Sequence, residues 1–319
     1  MPRAATTAAA VALRRPPALA PGARVALVSP AGPLRGEADL ARAESNARAF
    51  GWEPMVGTHA LARRGYFAGT DAERLADLNR ALGDDDVDAV WCVRGGYGAM
   101  RLLPGVDFDA LRRRPKPLVG YSDVTALHAA AAVRAGVVTF HGPTARAELT
   151  PFSRASLGRA LTHAGDPCAA ALDAPRLATD PAPRALRGGR ARGVLAGGNL
   201  ALVAALVGTP YAAPLDGAIL VLEDVNEAVY RVDRMLRQLL LAGALDRVQA
   251  IAFGRCTACP TESDDGARTL EEVVSEIAEA LDVPCAIHLP VGHIDDQWTV
   301  PLGAVAELDA DAATLTVDW

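Results

Sequence analysis

PLVGYSDVTALHAAAAV, residues 117–133, passes from a short apolar run (Pro117 to Val119) through GYSD into a helix-like segment from Val124 to Val133. A buried strand that gives way at once to a helix is half of the repeating unit of a parallel α/β sheet. The same junction puts Ser122 on the strand-to-helix turn, at the carboxyl edge of the sheet. There the first N–H groups of the helix lack partners and can hold a developing oxyanion. Serine is also an ordinary helix N-cap, so position alone does not make it a nucleophile.

Outward from this stretch the alternation continues. Val25 to Val28 reads as a strand, SPAGP (Ser29 to Pro33) as a loop, and Ala38 to Phe50 as a helix. Asp71 to Leu82 reads as a helix, Val87 to Val93 as a strand, RGGYG (Arg94 to Gly98) as a loop and Ala99 to Leu103 as the next helix. Val137 to Phe140 ends at HGP, His141 to Pro143. Apolar runs alternating with helices predict a parallel sheet covered on both faces. Between about 150 and 190 the periodicity weakens and Pro, Gly, Arg and Ala accumulate, as in a linker. Beyond it AGGN precedes an apolar helix, Ala218 to Leu222 reads as a strand, Ala228 to Ala242 as an amphipathic helix, and Val248 to Phe253 as a strand. Leu270 to Leu281 is helical, Cys285 to Leu289 a strand leading into VGH, and 299–319 a hairpin. The expected organisation is a disordered tail over 1–22, a first domain over 23–149, a crossing segment over 150–190 and a second domain over 191–319.

The chain has 319 residues, half of them hydrophobic, and a formal net charge of −6. That length favours two domains. No basic stripe dominates any segment, so a nucleic-acid partner is not expected. No apolar run is long enough for a membrane helix. Five cysteines, Cys92, Cys168, Cys256, Cys259 and Cys285, are an odd count in a chain too long to need staples. They suit a reducing, cytoplasmic setting without disulfides. Cys256 and Cys259 form a C-x-x-C with no second pair at zinc-ribbon spacing, which points to two incidental small hydrophobes. The glycines of RGGYG do not follow G-x-G-x-x-G and no P-loop lysine is present, so no nucleotide cofactor and no metal are expected.

A serine nucleophile needs a base within hydrogen-bond reach and an acid to orient that base. Glu223 follows the fully apolar strand AILVL, at the edge where ligands gather in open α/β sheets. Glu223, Asp224 and Glu227 equally suit the start of the next helix, where acids favour the dipole. Among six histidines, His128 lies inside a helix and His288 in a strand, while His59 and His163 have no reactive partner nearby. His141 and His293 both follow a strand end, and Asp295 and Asp296 would favour the charged form of His293. The residues alone do not choose between these two.

The order VSPAGP, RGGYGAMRLLP, GYSDVTALHAA, HGP, AGGNL, LEDVNEAVYRVDRML and VGH, from about Gly22 to the C-terminus, resembles the LD-carboxypeptidase family of serine peptidases, the murein tetrapeptide carboxypeptidases and their microcin-immunity relatives. The resemblance implies Ser122 as nucleophile, His293 as general base and Glu223 as its orienting acid. It implies an α/β fold with a doubly wound, flavodoxin- or Rossmann-like first domain and a smaller α/β second domain, the site lying between them. It further implies a cytoplasmic homodimer acting on a murein peptide. The N–H of Asp123 and an N–H of the Gly95–Gly96 loop are the expected oxyanion donors. The loop places Tyr97 beside the substrate, and Arg94 or Arg231 would pair with its terminal carboxylate. The alternatives are an immunity-type hydrolase of an aminoacyl-nucleotide amide, a non-catalytic muropeptide-binding protein and a nucleotide-dependent α/β enzyme. No extra aromatic loop for stacking a base is evident in the sequence.

Overall fold

Apolar runs without polar alternation become strands with both faces covered, and two sheets result. The computed structural model describes residues 12–168, 181–259 and 268–318. The chain runs through β1 (Arg24–Val28), α1 (Glu37–Ala49), β2 (Glu53–Val56), α2 (Asp71–Gly83) and β3 (Ala89–Cys92). Next come α3 (Ala99–Leu102), α4 (Phe108–Arg113), β4 (Leu118–Gly120), α5 (Thr125–Arg134) and β5 (Thr139–His141). These five strands are parallel in the order β5-β4-β3-β1-β2. The direction of winding reverses between β1 and β3, so the loops after those two strands frame the crevice where doubly wound sheets take ligands. Alternate side chains serve opposite layers. Ala26 and Val28 join Leu78 and Leu82 of α2 in one core, and Val25 and Leu27 join Ala43 and Ala47 of α1 in the other.

The remaining elements are α6 (Pro151–Thr162), β6 (Arg184–Arg187), β7 (Arg190–Asn199), α7 (Leu200–Leu206), β8 (Ala218–Val225), α8 (Val229–Leu241), β9 (Ala250–Thr257), α9 (Leu270–Leu281), β10 (Cys285–Ile287), β11 (Val300–Leu302), β12 (Val305–Asp309) and β13 (Thr314–Val317). The second sheet has the order β13-β12-β7-β8-β9-β10-β6, with β7 to β10 parallel and the outer strands antiparallel. β12 and β13 make the hairpin expected near the C-terminus. β11 instead crosses back and pairs with β5 on the first sheet.

Three expectations are corrected. Residues 12–22 are not a loose tail: the N–H groups of Leu13, Arg14 and Leu19 donate to the carbonyls of Gly303, Gly136 and Leu161 at 3.0, 2.9 and 2.8 Å, and Leu19 is buried. Two isolated leucines amid prolines carry no periodicity, yet they have apolar sites to fill. Residues 1–11 lie outside the described residues. Within 150–190, read as a linker, Thr150 caps a regular helix, α6, with its hydroxyl on the Ser153 N–H at 3.1 Å. Cys256 and Cys259, expected as free thiols, form a disulfide. Ala258 has φ 52°, a left-handed turn that brings the two Cα atoms to 5.6 Å, well inside bridging range. The inference from odd cysteine count to a reducing setting therefore loses its premise.

α5 and β7 join the two sheets at van der Waals limits. A Cβ on Gly198 would stand 2.6 Å from Thr125 Oγ1, and that hydroxyl accepts the Asn199 N–H at 3.0 Å. Gly198 also has φ 128°, a conformation that side chains resist. Replacing Gly198 by Ala should destabilise the protein by about 1–3 kcal/mol, the usual cost of overpacking. Thermal unfolding checks this; an unchanged midpoint would contradict the close approach.

Candidate active site

Ser122 stands at the end of β4 on a single 3-10 turn that runs into α5, with φ 64°. A serine in the left-handed region is strained, and such strain persists only where the surroundings fix it. They do so here. A Cβ on Gly120 would meet Val124 and Cys92 at 3.0 and 3.1 Å, so only glycine fits before the turn. The Gly120 carbonyl accepts the Gly142 N–H at 3.1 Å and lies 2.8 Å from His128 Nε2. Burial lowers His128 to about 4, so the ring is neutral and donates through Nε2.

The Asp123 carboxylate turns inward, where it accepts the Ala99 N–H at 2.8 Å and ties the RGGYG loop to the serine turn. Burial raises its pKa, opposed by that bond and by Arg74. Gly95 lies against the serine: a Cβ there would be 3.0 Å from Ser122 Cβ and 3.3 Å from Oγ. The Gly95 carbonyl accepts the Gly32 N–H at 3.0 Å, and Gly96, with φ 121°, packs on Gly32. Thus the loops after β1 and β3 meet at the switch point, as the strand order requires.

Glu223, on β8, is fully buried, and its Oε2 lies 2.8 Å from Nδ1 of His293. His293 itself is about one-fifth exposed. Gly292 makes room for the pair, because a Cβ there would sit 3.0 Å from Glu223 Oε2. The Tyr121 ring, one residue before Ser122, packs on the His293 imidazole with centroids 4.8 Å apart. The serine turn and the histidine–acid pair therefore converge, although they come from different sheets. His141, the competing base, is sealed in the core, and neither ring nitrogen is hydrogen-bonded among the described residues. Burial, and then the nearby His128 and His293, hold its pKa well below the ordinary histidine range. Other histidines also face acids, His59 with Asp77 at 3.0 Å and His288 with Glu271 at 2.8 Å. For His59 this corrects the expectation that it lacks a partner.

The two arginines proposed for the substrate differ. Arg231 is exposed on α8 and engages the Tyr230 hydroxyl at 3.2 Å and Glu227 at 3.5 Å. Arg94 is half-buried and donates to the Pro33 carbonyl. Its pKa is lowered by burial first, then by Arg146 and Arg35, opposed by Asp39. Tyr97 is about half exposed and lies with Tyr66 and Phe67 in one aromatic patch, ring centroids 5.8 Å from each. This surface was not evident from the sequence, because Tyr66 and Tyr97 are far apart in the chain.

Sequence reasoning also missed the brace that holds the His293 loop. In α6, Ser153 Oγ donates to the Asp295 carbonyl at 2.6 Å and accepts the Gln297 N–H at 2.9 Å, while Ser156 Oγ accepts the Thr299 N–H at 2.8 Å. The Thr150 hydroxyl donates to Asp296 at 2.5 Å. Asp224, next to Glu223, is engaged elsewhere: it accepts from Asn199 Nδ2 and the Ala201 N–H, both at 3.0 Å. Burial raises Asp224 to about 6. The regular spacing of Thr150, Ser153 and Ser156 along one helix face was the available signal.

Comparison with known proteins agrees with this architecture. Residues 25–142 match the LD-carboxypeptidase N-terminal domain and residues 192–308 the LD-carboxypeptidase C-terminal domain. The chain is 38% identical to the murein tetrapeptide carboxypeptidase of Pseudomonas aeruginosa, over 90% of this chain and 94% of that one. It is 26% identical to the microcin C7 self-immunity protein MccF of Escherichia coli, over 79% and 80% of the two chains. The crystal structure of muramoyltetrapeptide carboxypeptidase from Oxalobacter formigenes superposes with a TM-score of 0.78 at 29% identity, covering 92% of this chain and 97% of that one. With both halves of the chain matched in order, the protein belongs to the LD-carboxypeptidase family.

Proposed function

We propose that the chain is a serine-type L,D-carboxypeptidase that releases D-alanine from a murein tetrapeptide, with Ser122 as nucleophile, His293 as general base and Glu223 as the acid that orients it. The observation that carries this reading is the hydrogen bond between buried Glu223 and His293, whose ring packs on Tyr121 beside Ser122. In the first step Ser122 Oγ forms a bond to the carbonyl carbon and its proton passes to His293 Nε2. Collapse of the tetrahedral intermediate breaks the C–N bond, and His293 returns the proton to the leaving amine of D-alanine. Water then repeats the sequence on the acyl-enzyme and frees Ser122. Glu223 accepts the hydrogen bond from His293 Nδ1–H throughout, the proton staying on the ring, which leaves Nε2 free to act as base.

The N–H of Asp123 and one from Gly95 or Gly96 serve as oxyanion donors in this reading; Gly95, lying on Ser122, supports it. Arg94 serves the substrate carboxylate and Tyr97 the rest of the peptide. This reading also places the enzyme in the cytoplasm, in wall-peptide recycling, as a homodimer, as the family likeness implies.

A second reading, hydrolysis of an aminoacyl-nucleotide amide, is favoured by one observation, the Tyr66–Phe67–Tyr97 surface, whose two exposed tyrosines offer faces on which a planar ring could stack. Offering both substrates and measuring D-alanine or nucleotide release separates the two. We expect D-alanine release; exclusive turnover of the nucleotide amide would overturn the first reading.

Ser122→Ala should lower kcat by about 10⁴-fold or more with the circular dichroism spectrum unchanged, and Glu223→Gln by about 10³–10⁴-fold. Undiminished release of D-alanine by the Ser122 variant would end the proposal. Ser153→Ala, which loosens the His293 loop, should cost about tenfold in kcat with little change in KM, the signature of a group acting only on the reacting geometry. Steady-state kinetics on the tetrapeptide checks this, and a rise in KM alone would contradict it.

A further inference from the structure

Arg146 follows HGP and carries no role in the account above. Its backbone N–H donates to the carbonyl of Val93, the residue before Arg94, at 3.4 Å, and the preceding Ala145 N–H donates to Cys92 at 3.0 Å. The segment after β5 therefore folds across the end of β4 and lays Arg146 beside Arg94. Arg94 in turn precedes Gly95, the residue packed on Ser122. The two guanidinium groups share little negative charge. Arg146 reaches Asp39 at 3.5 Å, and its buried Nε has no hydrogen-bond partner among the described residues. Arg94 spends one N–H on the Pro33 carbonyl, and no carboxylate pairs with it among the described residues. The exposed Arg35 and Arg63 stand at the same rim: the Arg35 N–H donates to Asp39 at 3.0 Å, and Arg63 donates to the Leu34 carbonyl at 3.1 Å. Unspent donors and excess positive charge next to a nucleophile are the makings of an anion receptor.

One particular anion lies close to the scissile bond in every such substrate. In a peptide that ends one residue past the scissile bond, only N and Cα separate the scissile carbonyl from the terminal carboxylate, a span of about 3–4 Å. Arg94 adjoins Gly95, the residue packed on Ser122, whereas Arg231, exposed on α8, pairs with Glu227 just before that helix. Burial and then the field of Glu223 raise the Tyr121 hydroxyl while Arg146 lowers it, which sets Arg146 within electrostatic reach of the same crevice.

We propose that Arg146, together with Arg94, binds the free C-terminal carboxylate of the substrate and so restricts the site to cleavage of a single terminal residue. This rests on the carboxypeptidase reading and deepens it. Asp39 then acts as a positioning residue that holds the Arg146 guanidinium in place.

The test uses full-length protein carrying Ser122→Ala, titrated calorimetrically with murein tetrapeptide as the free acid and as its C-terminal amide. The acid should bind about 10- to 100-fold more tightly than the amide, the range for hydrogen bonds to a charged group. Adding Arg146→Gln or Arg94→Gln should reduce that ratio to near one while leaving amide affinity unchanged. Arg146→Lys, which keeps the charge and loses the fork, should restore part of the ratio and stands in if the glutamine variant does not fold. Equal binding of acid and amide, no binding of the acid, or a ratio that survives both glutamine substitutions would overturn the proposal. D-alanine release by the wild-type protein is measured in parallel. Release with an unaltered ratio refutes the arginine site alone, and a lost ratio without release refutes the hydrolase reading alone.

Discussion

Glu223 is fully buried near the end of a strand whose preceding residues are all apolar, and one of its two oxygens has no hydrogen-bond partner among the described residues. A buried carboxyl group is costly unless something meets it. The hydrogen bond from His293 is what makes the position tenable, and much of the local architecture serves to keep that bond in place. Gly292 is needed because a side chain there would strike Glu223. α6 is needed because its Ser153 and Ser156 pin the backbone on the far side of the histidine. The strained turn at Ser122 is held from the opposite side by His128 and by the Asp123 carboxylate. Strain on one partner and burial on the other are both offset by the packing of the layers around them.

The two sheets come together through small residues. Gly198 admits Thr125 to the second sheet, and the hydroxyl of Thr125 receives the Asn199 backbone, so the helix that begins after Ser122 is anchored on the strand next to the one carrying Glu223. β11 completes the exchange by pairing with β5. The geometry of the site is thus set by interlayer contacts rather than by flexible connections, which suits chemistry that tolerates little misplacement.

Much of this was legible in the sequence. The apolar runs at Val25 to Val28 and Ala218 to Leu222 marked strands buried on both faces, and GYSD marked the turn, because those patterns are local. What depends on distant partners was not legible. His141 and His293 are alike as sequence, each beside a glycine after a strand; burial of the first and the carboxylate facing the second separate them only in three dimensions. Residues 12–22 and the helix of 150–190 lack strong periodicity, since their few apolar or hydroxyl side chains pair with loops far away in the chain. The Cys256–Cys259 bridge depends on a left-handed alanine that no composition rule anticipates. Tyr66, Phe67 and Tyr97 form one surface only because the loops after β2 and β3 meet.

The most direct test of the central claim is a crystal structure of the Ser122→Ala protein with a murein tetrapeptide bound. The account predicts the carbonyl carbon of the terminal peptide bond about 3–3.5 Å from where the serine oxygen would lie, with His293 Nε2 on the same side, still hydrogen-bonded through Nδ1 to Glu223. A peptide bound with that carbonyl away from residue 122, or a His293 ring turned out of contact with Glu223, would contradict it.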